Sequence, residues 1–193
     1  MFNTKKDKTE MKDKIIDVTI GLIKENNGNI DKITIREIAK RAEIGVGLIN
    51  YHFQSKKNLI EICVQKIISE AIAQSKPDIE NMTPIEKLKH SVKIPVDFLM
   101  ENPEISTISV LNDLMHGQAN DNSFKTLARY YYYAENCKSD KNTFFKTAFL
   151  IHGLQGLFLR RTLYREKFDL SDKAQRDKLI DDLVERLFGG ENE

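Results

Sequence analysis

The chain has 193 residues, of which 40% are apolar and 31% are charged, and its formal net charge is +1. It is long enough for one large domain or for two small domains that bury a sizeable core. No apolar run approaches the roughly 20 residues of a membrane-spanning helix, and residues 1–14 lack the apolar segment of a signal peptide. We therefore expect a soluble, cytoplasmic protein without a membrane partner.

The periodicity of the apolar residues indicates the fold class. Only nine Gly and four Pro are present, and long stretches repeat apolar residues every three or four positions. This pattern predicts an all-α protein with about nine helices. Cys63 and Cys137 fit neither a disulfide framework nor a metal-ligand spacing, so we expect buried free thiols. A two-cysteine redox sensor is the alternative.

The N-terminal quarter carries clear helix start and stop signals. Residues 1–8 are polar and are predicted to form a disordered arm, and a helix should follow over residues 9–26. Thr34 and Glu37 can form a capping box, in which the Thr34 hydroxyl accepts the amide of Glu37 while the Glu37 carboxylate reaches back. A second helix should therefore begin after Thr34.

Two more helices are predicted directly after it. Gly45 can start the first of them, on which Ile49 and Phe53 lie one turn apart and face the core. Ser55 can cap the second, a long helix over residues 56–74. The helix breaker Ser-Lys-Pro follows, and we place a domain boundary there.

The second half of the chain predicts five further helices. Thr83 and Glu86 form another capping box, and Pro95 should kink the helix that they start. The other four are predicted to begin at Asn102 and Pro103, to carry the tyrosines at 130–133, and to span residues 139–165 and 171–188.

Residues 34–59 read TIREIAKRAEIGVGLINYHFQSKKNL and predict two short helices joined by a tight turn. This arrangement is a helix-turn-helix, whose second helix can enter the major groove of DNA. The side chains that face away from the core on that helix are predicted to be Val46, Gly47, Leu48, Asn50 and Tyr51. The pattern predicts binding to double-stranded DNA.

Each of these residue types suits one kind of DNA contact. Asn50 can pair with an adenine edge, Gly47 permits close approach, and Val46 and Leu48 can pack on thymine methyls. The side chains suited to phosphate oxygens are Thr34, Arg36, Tyr51, His52, Lys56 and Lys57. The alternative is an ordinary helical hairpin, with Tyr51 half-buried in the core and His52 at its boundary.

The run T-x-R-E-I-A-x-R-A-x-I-G-V-G-x-I-N-Y-H-F-x-S-K-K-x-L resembles the N-terminal DNA-binding domain of the TetR family of bacterial transcriptional regulators. The resemblance covers residues 12–60, and its matching positions are Thr34, Ile38, Ala39, Ala42, Gly47, Tyr51, His52, Phe53, Ser55 and Lys56. It implies a homodimeric repressor that binds a palindromic operator and is released by a small-molecule effector. It also implies phosphate contacts at Thr34, Tyr51, His52 and Lys56.

Four positions depart from the pattern of that family. Glu43 stands at the usual turn glycine and brings a carboxylate near DNA, and Gly45 stands at the usual capping serine. Leu48 and Asn50 stand where residues are often hydroxylated, so the resemblance does not imply an operator sequence.

The predicted domains are a helix-turn-helix domain over residues 9–55, a connecting helix over 56–75, and a ligand-binding and dimerisation domain over 76–193. The dimer interface is predicted at Gly153, Gly156, Leu179, Ile180, Leu183, Val184, Leu187 and Phe188. In the alternative, the apolar stripe of the last helix packs within its own subunit. An effector pocket is predicted among Met100, His116, Tyr130, Tyr133, Phe145, Phe149, His152 and Phe158.

No spacing in the sequence predicts a metal site, a cofactor or an enzyme active site. Two alternatives to a ligand-responsive repressor fit the same sequence. One is a DNA-binding protein whose C-terminal domain binds a protein partner. The other is a helical interaction protein that has lost DNA binding. For the repressor, we expect the effector to move the helix at 56–74, which changes the separation of the two recognition helices.

Overall fold

A computed structural model of the chain describes residues 5–74, 80–138 and 141–189. Every regular element among these residues is a helix, which confirms the predicted all-α class. The elements are α1 (Lys5–Glu25), a 3₁₀ helix (Ile30–Lys32), α2 (Ile35–Arg41), α3 (Val46–Phe53), α4 (Lys56–Gln74), α5 (Pro84–Glu101), α6 (Pro103–His116), α7 (Asn122–Lys138), α8 (Thr143–Leu159), α9 (Arg161–Tyr164) and α10 (Lys173–Phe188). No described helix is both long and apolar enough to cross a bilayer.

The chain divides into two compact units. The N-terminal unit comprises Met1–Glu70 and Glu104–Ser109, and the C-terminal unit comprises Ala71–Pro103 and Val110–Glu193. Helices α4 and α6 are thus each shared between the units. The boundary predicted at the Ser-Lys-Pro breaker lies outside the described residues, and the inclusion of 104–109 in the N-terminal unit was not predicted.

Helix α1 begins earlier than the sequence predicted. Residues 1–4 of the predicted arm lie outside the described residues, but α1 starts at Lys5, inside that arm. The helix ends as its Asn-Asn-Gly sequence predicts, with Asn27 in the left-handed region at φ 51°. The Gly28 amide donates to the Ile23 carbonyl at 2.9 Å, which satisfies an orphan acceptor of the last turn.

Gly28 also permits a close approach within the N-terminal unit. Its φ is +80°, and a Cβ at this position would lie 3.3 Å from both Glu104 Cβ and Ile105 Cγ2. The first turn of α6 therefore lies directly against the end of α1. Farther along that segment, Ser109 Oγ accepts a hydrogen bond from Gln65 Nε2 of α4 at 3.3 Å.

The core of the N-terminal unit is apolar. Up to Ile68 its buried hydrophobic side chains are Ile15, Ile16, Ile20, Leu22, Ile23, Ile33, Ile38, Ala39, Ala42, Ile49, Phe53, Leu59, Ile60, Cys63, Val64 and Ile68. The buried Thr19 hydroxyl donates to the Ile15 carbonyl one turn earlier, at 2.7 Å. Burial raises the pKa of the Cys63 thiol to about 12, so this thiol stays neutral and unreactive.

Helices α5, α7, α8 and α10 build the core of the C-terminal unit. Its members are Leu88, Val92, Val96, Leu127, Tyr130, Ala134, Leu150, Ile151, Leu154, Ile180, Val184 and Phe188. Three of the predicted dimer residues, Ile180, Val184 and Phe188, are therefore buried in their own subunit. The physical reason is that α10 turns the centre of its apolar stripe toward the other three helices.

A buried ion pair ties α10 to α5 in this unit. Arg176 is 4% exposed, and its Nη2 donates to Asp97 Oδ1 at 2.6 Å while its Nη1 donates to the Leu170 carbonyl at 2.6 Å. Lys173 Nζ lies 2.5 Å from the other oxygen of Asp97. Burial pushes the pKa of Asp97 upward, but hydrogen bonds from Lys173 and Arg176 outweigh it, and the pKa lies below its usual value.

A chain of polar side chains connects α6, α7 and α8. Ser123 Oγ donates to the buried Asp113 carboxylate at 2.9 Å and accepts from Gln155 Nε2 at 2.7 Å. The Gln155 carbonyl oxygen lies 3.1 Å from Nδ1 of the exposed His152. Each buried member thus has a partner, as buried polar groups require.

Helix boundaries in the C-terminal unit follow local capping. Thr83 and Glu86 form the predicted capping box, and α5 continues through Pro95 to Glu101. The long helix predicted over 139–165 instead ends at Leu159. Arg161 explains this end, because its guanidinium donates to the Phe158 carbonyl at 3.0 Å and lies 4.5 Å from the Phe158 ring centroid. The predicted start at residue 139 lies outside the described residues.

Candidate nucleic-acid interface

The helix-turn-helix begins with a side-chain cap on α2. Thr34 has extended backbone angles, and its hydroxyl accepts the Glu37 amide at 3.1 Å. This hydrogen bond is half of the predicted capping box. Thr34 and Arg36 are both exposed, so their side chains lie at the surface on which we expect phosphates.

The turn between α2 and α3 places Glu43 in a conformation that favours glycine. Its φ is 57°, in the left-handed region. The Glu43 amide donates to the Lys40 carbonyl at 3.2 Å, and the Ile44 amide donates to the Ala39 carbonyl at 3.0 Å. These two hydrogen bonds form a Schellman motif that ends α2 without glycine. The exposed Glu43 carboxylate is therefore held at the turn.

Helix α3 is anchored by two side chains one turn apart. Ile49 and Phe53 are both 0% exposed, as predicted. Gly45 is the N-cap and makes no side-chain hydrogen bond. A Cβ at Gly45 or at Gly47 would meet no atom within 4 Å, so packing within the protein does not require glycine at either position.

The outer face of α3 differs in part from the prediction. Gly47, Asn50 and Tyr51 are exposed, but Val46 and Leu48 are half-buried. Both half-buried side chains flank the anchored face, because successive residues of a helix point about 100° apart. The fully exposed set is therefore smaller than predicted.

Tyr51 lies on the surface and not in the core. Its side chain is 65% exposed, which excludes the half-buried core position considered above. Its ring packs edge-on against His52 at 5.1 Å between centroids, and His52 is half-buried between Tyr51 and Phe53. The His52 ring therefore supports the orientation of Tyr51.

The two lysines predicted at the start of α4 differ in their contacts. Ser55 caps this helix, since its hydroxyl accepts the Asn58 amide at 3.1 Å. Lys56 Nζ donates to the Ile30 carbonyl at 2.9 Å, which ties the start of α4 to the 3₁₀ helix. The Lys57 side chain is 82% exposed and lies 3.7 Å from Glu61. Both lysines follow the end of α3 within four residues of the chain.

One lysine near Tyr51 was missed by the sequence interpretation. Lys8 Nζ lies 3.2 Å from the Tyr51 hydroxyl, across 43 residues of chain. The predicted arm over residues 1–8 hid this contact. The signal that could have shown it is the spacing of Lys8 and Lys12, which continues the helical period of α1 toward the N-terminus.

The side chains predicted to form an effector pocket fall into three groups. Tyr130 and Phe158 are each 1% exposed and belong to the interior, where burial raises the pKa of Tyr130. Met100 and Tyr133 are half-buried. The exposed side chains are His116, Phe145, Phe149 and His152. These eight side chains therefore include both interior and surface positions.

One face of α8 is apolar and exposed. Phe145 and Phe149 are 63% and 77% exposed, and the predicted interface residues Gly153 and Gly156 continue the same face at helical spacing. The remaining predicted interface residues, Leu179, Leu183 and Leu187 of α10, are half-buried. Two phenylalanines predicted for the pocket thus lie on the face predicted for the dimer.

The described residues contain no cluster of three or more His, Cys, Asp or Glu side chains that could hold a metal ion. His116 and His152, the two histidines of the predicted effector pocket, are both exposed.

Comparison with known proteins agrees with this geometry. Residues 15–63 match the family described as "Bacterial regulatory proteins, tetR family". No curated protein matches the chain in sequence.

Several solved structures share the fold. A TetR transcriptional regulator from Rhodococcus sp. RHA1 is 14% identical, with a TM-score of 0.61 over 97% of this chain and 100% of that chain. BioQ from Mycobacterium smegmatis is 16% identical, with a TM-score of 0.60 over 91% of this chain and 97% of that chain. A second, TetR-like regulator from Rhodococcus sp. RHA1 is 14% identical, with a TM-score of 0.55 over 94% and 97% of the two chains.

At these identities the similar structures establish the fold, and the match at residues 15–63 identifies the helix-turn-helix. Residues 15–63 thus carry the sequence match to the tetR family of bacterial regulatory proteins, and the chain shares its fold with TetR transcriptional regulators.

Proposed function

We propose that the protein is a homodimeric transcriptional repressor that binds a palindromic operator and is released by a small-molecule effector. The observation that best supports DNA binding is that α3 has one buried face and one exposed face. Ile49 and Phe53 fix the helix in the unit, while Gly47, Asn50 and Tyr51 remain exposed. A helix held in this way can enter the major groove, which is wide enough for one helix.

The proposed roles follow from chemistry and exposure. Asn50 pairs with an adenine edge, and Gly47 allows the backbone to approach the base pairs. Val46 and Leu48 contact thymine methyls through the part of each side chain that is exposed. The phosphate-contacting side chains in this proposal are Thr34, Arg36, Tyr51, His52, Lys56 and Lys57.

The proposed dimer uses the exposed face of α8. This face carries exposed phenylalanines, and an exposed apolar surface of this kind is typical of an interface. A second copy would cover Phe145 and Phe149, and the glycines at 153 and 156 would let two such helices approach closely. A palindromic operator requires the two-fold symmetry that such a dimer has.

Selection of binding sites from a random DNA library, followed by a salt titration, tests DNA binding. We expect a palindromic sequence whose affinity falls steeply as salt rises, because phosphate contacts release counterions. Gly47→Ala is the sharpest variant. Alanine should stabilise α3, since Cβ would meet no atom within 4 Å, yet it should weaken operator binding by crowding the groove.

Failure of the wild-type protein to enrich any sequence at low salt, before and after unfolding and refolding to remove a bound effector, would overturn the DNA-binding proposal. Sedimentation tests the dimer separately. Phe149→Glu should give monomers, while Phe124→Glu, which changes a 47% exposed phenylalanine of α7, should leave dimers.

The effector part of the proposal has a competitor, a C-terminal unit that binds a protein partner. Two observations favour the competitor: the predicted pocket side chains separate into interior and surface, and Leu111, Leu114 and Met115 form an exposed apolar cluster on α6. A small molecule that releases the purified dimer from operator DNA supports the effector. Loss of regulation in cells on Met115→Glu, with unchanged DNA affinity in vitro, supports the protein partner.

For either trigger, α4 offers the route of the signal. The helix is continuous from Lys56 to Gln74, and the unit boundary falls within it after Glu70. A trigger in the C-terminal unit that shifts α4 would change the separation of the two α3 helices of a dimer. The trigger must prefer the released state by a few kcal/mol to act as a switch.

A further inference from the structure

An open groove lies beside α3 in the N-terminal unit. It has a volume of about 710 Å³ and is lined by residues of α1, α3 and α4, among them Lys8, Lys12, Asp13, Tyr51 and His52. The two lysines are one helical turn apart on the same face of α1. The groove therefore places two lysines of α1 beside the exposed end of α3. Neither lysine belongs to the helix-turn-helix.

Lys8 and Tyr51 are in direct contact at the groove. Lys8 Nζ lies 3.2 Å from the Tyr51 oxygen and 5.8 Å from the centre of its ring. When the ammonium donates to the phenol oxygen, the phenol proton points outward and the ammonium keeps two further protons. Both groups can then donate to two oxygens of one phosphate, and the charged donor makes these hydrogen bonds strong.

Lys12 places a second charge next to this pair. Its ammonium lies 5.7 Å from the centre of the Phe53 ring, which anchors α3 in the core. Lys12 is exposed and lines the groove, so its charge is accessible there. Asp13 opposes the two lysines, because its exposed carboxylate lines the same groove.

We propose that Lys8 and Lys12 are DNA-binding residues, and that Lys8 and Tyr51 hold one phosphate of the operator backbone together. This inference rests on the proposed function, since it extends the DNA contact from the helix-turn-helix to α1. The phosphate is held as a charged group of the backbone, so these contacts add affinity and fix register without reading sequence. Asp13 weakens the same contact by repulsion.

Salt titrations of DNA binding by the full-length chain test this proposal. The probe is a short duplex carrying the selected operator, and the variants are Lys8→Gln and Lys12→Gln. Each should lower affinity about tenfold and reduce the slope of log K against log salt by about 0.9 for each bound protomer. Asp13→Asn should change affinity in the opposite direction.

Lys14→Gln is the matched control. Lys14 is an exposed lysine of the same helix, does not line the groove, and points about 160° away from Lys12 at 100° per residue. Lys14→Gln removes the same charge, so it measures only the long-range electrostatic effect of that charge on DNA affinity. Equal slopes for Lys8→Gln, Lys12→Gln and Lys14→Gln would overturn the proposal.

A double-mutant cycle tests the shared phosphate. If Lys8 and Tyr51 hold one phosphate, the double variant Lys8→Gln, Tyr51→Phe should lose less affinity than the product of the two single losses. Multiplicative losses would show separate contacts and would overturn the shared site. A wild-type protein that binds no DNA contradicts the proposed function itself, whereas DNA binding that is insensitive to Lys8 and Lys12 contradicts this inference alone.

Discussion

The two units differ in where they place their polar side chains. Among the described residues of the N-terminal unit, the buried polar side chains are the hydroxyls of Thr19, Ser106 and Ser109, while Asn50, Tyr51 and Lys8 lie on the surface of α3 and α1. The C-terminal unit buries Asp113, Gln155 and Arg176. A polar group at the surface can be replaced at little cost in stability, whereas a buried one can not.

This difference separates the two properties that a regulator combines. Substitutions on the proposed DNA-binding surface of the N-terminal unit should change DNA affinity while the fold persists. Substitutions in the polar interior of the C-terminal unit should change stability first. A ligand or partner that disturbs those buried hydrogen bonds would act on the folding energy of the unit directly.

The largest effect is expected at the buried ion pair. Asp97→Asn leaves the Arg176 guanidinium, 5% exposed at its side chain, without its counter-charge, and should lower the free energy of unfolding by about 3 kcal/mol. Asp177→Asn removes a more exposed partner of Lys173 and should cost no more than about 0.5 kcal/mol. Denaturant unfolding followed by circular dichroism measures both, and equal losses would contradict the comparison.

The same pair predicts an acid dependence. The pKa of Asp97 is lower in the folded protein than its usual value of 3.8, so the stability that it contributes is present above pH 3.8. That stability should be lost as the pH falls through the lower, folded pKa. The wild-type protein should therefore lose stability more steeply than Asp97→Asn in this acid range.

The next effect is expected in the polar chain of the C-terminal unit. Ser123→Ala removes the hydroxyl that donates to the Asp113 carboxylate and accepts from the Gln155 amide, and should cost about 2 kcal/mol. Ser171→Ala is the matched control, because the exposed Ser171 hydroxyl donates to the nearby Asp169 carboxylate at 2.6 Å on the surface. The control should stay within about 0.5 kcal/mol of the wild type.

A gain in stability is expected at the turn of the helix-turn-helix. Glu43→Gly relieves the left-handed backbone at φ 57° and should stabilise the N-terminal unit by about 1 kcal/mol. Glu43→Gln keeps the backbone strain but removes the carboxylate. If Glu43 faces DNA, both variants should bind operator more tightly, while thermal unfolding should show the gain for Glu43→Gly alone.

The smallest effect is expected at the cap of α3. Gly45→Ser supplies the missing side-chain cap at an extended position with φ −76°, and no neighbouring atom would obstruct it. It should stabilise the unit by about 0.3 kcal/mol, since serine exceeds glycine only slightly as a cap. Gly45→Ala offers no oxygen and should be destabilising. A stabilising alanine would show that the cap is not the cause.

The sequence was most informative where structure is local. Thr34, Ser55 and Thr83 were predicted as caps and all accept backbone amides, because capping depends on residues within one turn. The inward positions of Ile49 and Phe53 followed from helical period in the same way.

Long-range packing was not predictable from these patterns. The period of α10 showed an apolar stripe but not which side chains its own subunit would bury. The end of α8 depends on the Arg161 side chain, and the contact of Lys8 with Tyr51 joins residues far apart in sequence. None of these three features produces a sequence pattern with a fixed spacing between residues.

The membership of Glu104–Ser109 in the N-terminal unit has a consequence for synthesis on the ribosome. A nascent chain that has emerged as far as Glu70 still lacks the segment against which Gly28 lies. At ordinary elongation rates the missing residues arrive roughly 2–8 s later. The N-terminal unit therefore completes its fold only after the whole of α5 has been made, and a fragment cut at Glu70 would lack part of that unit.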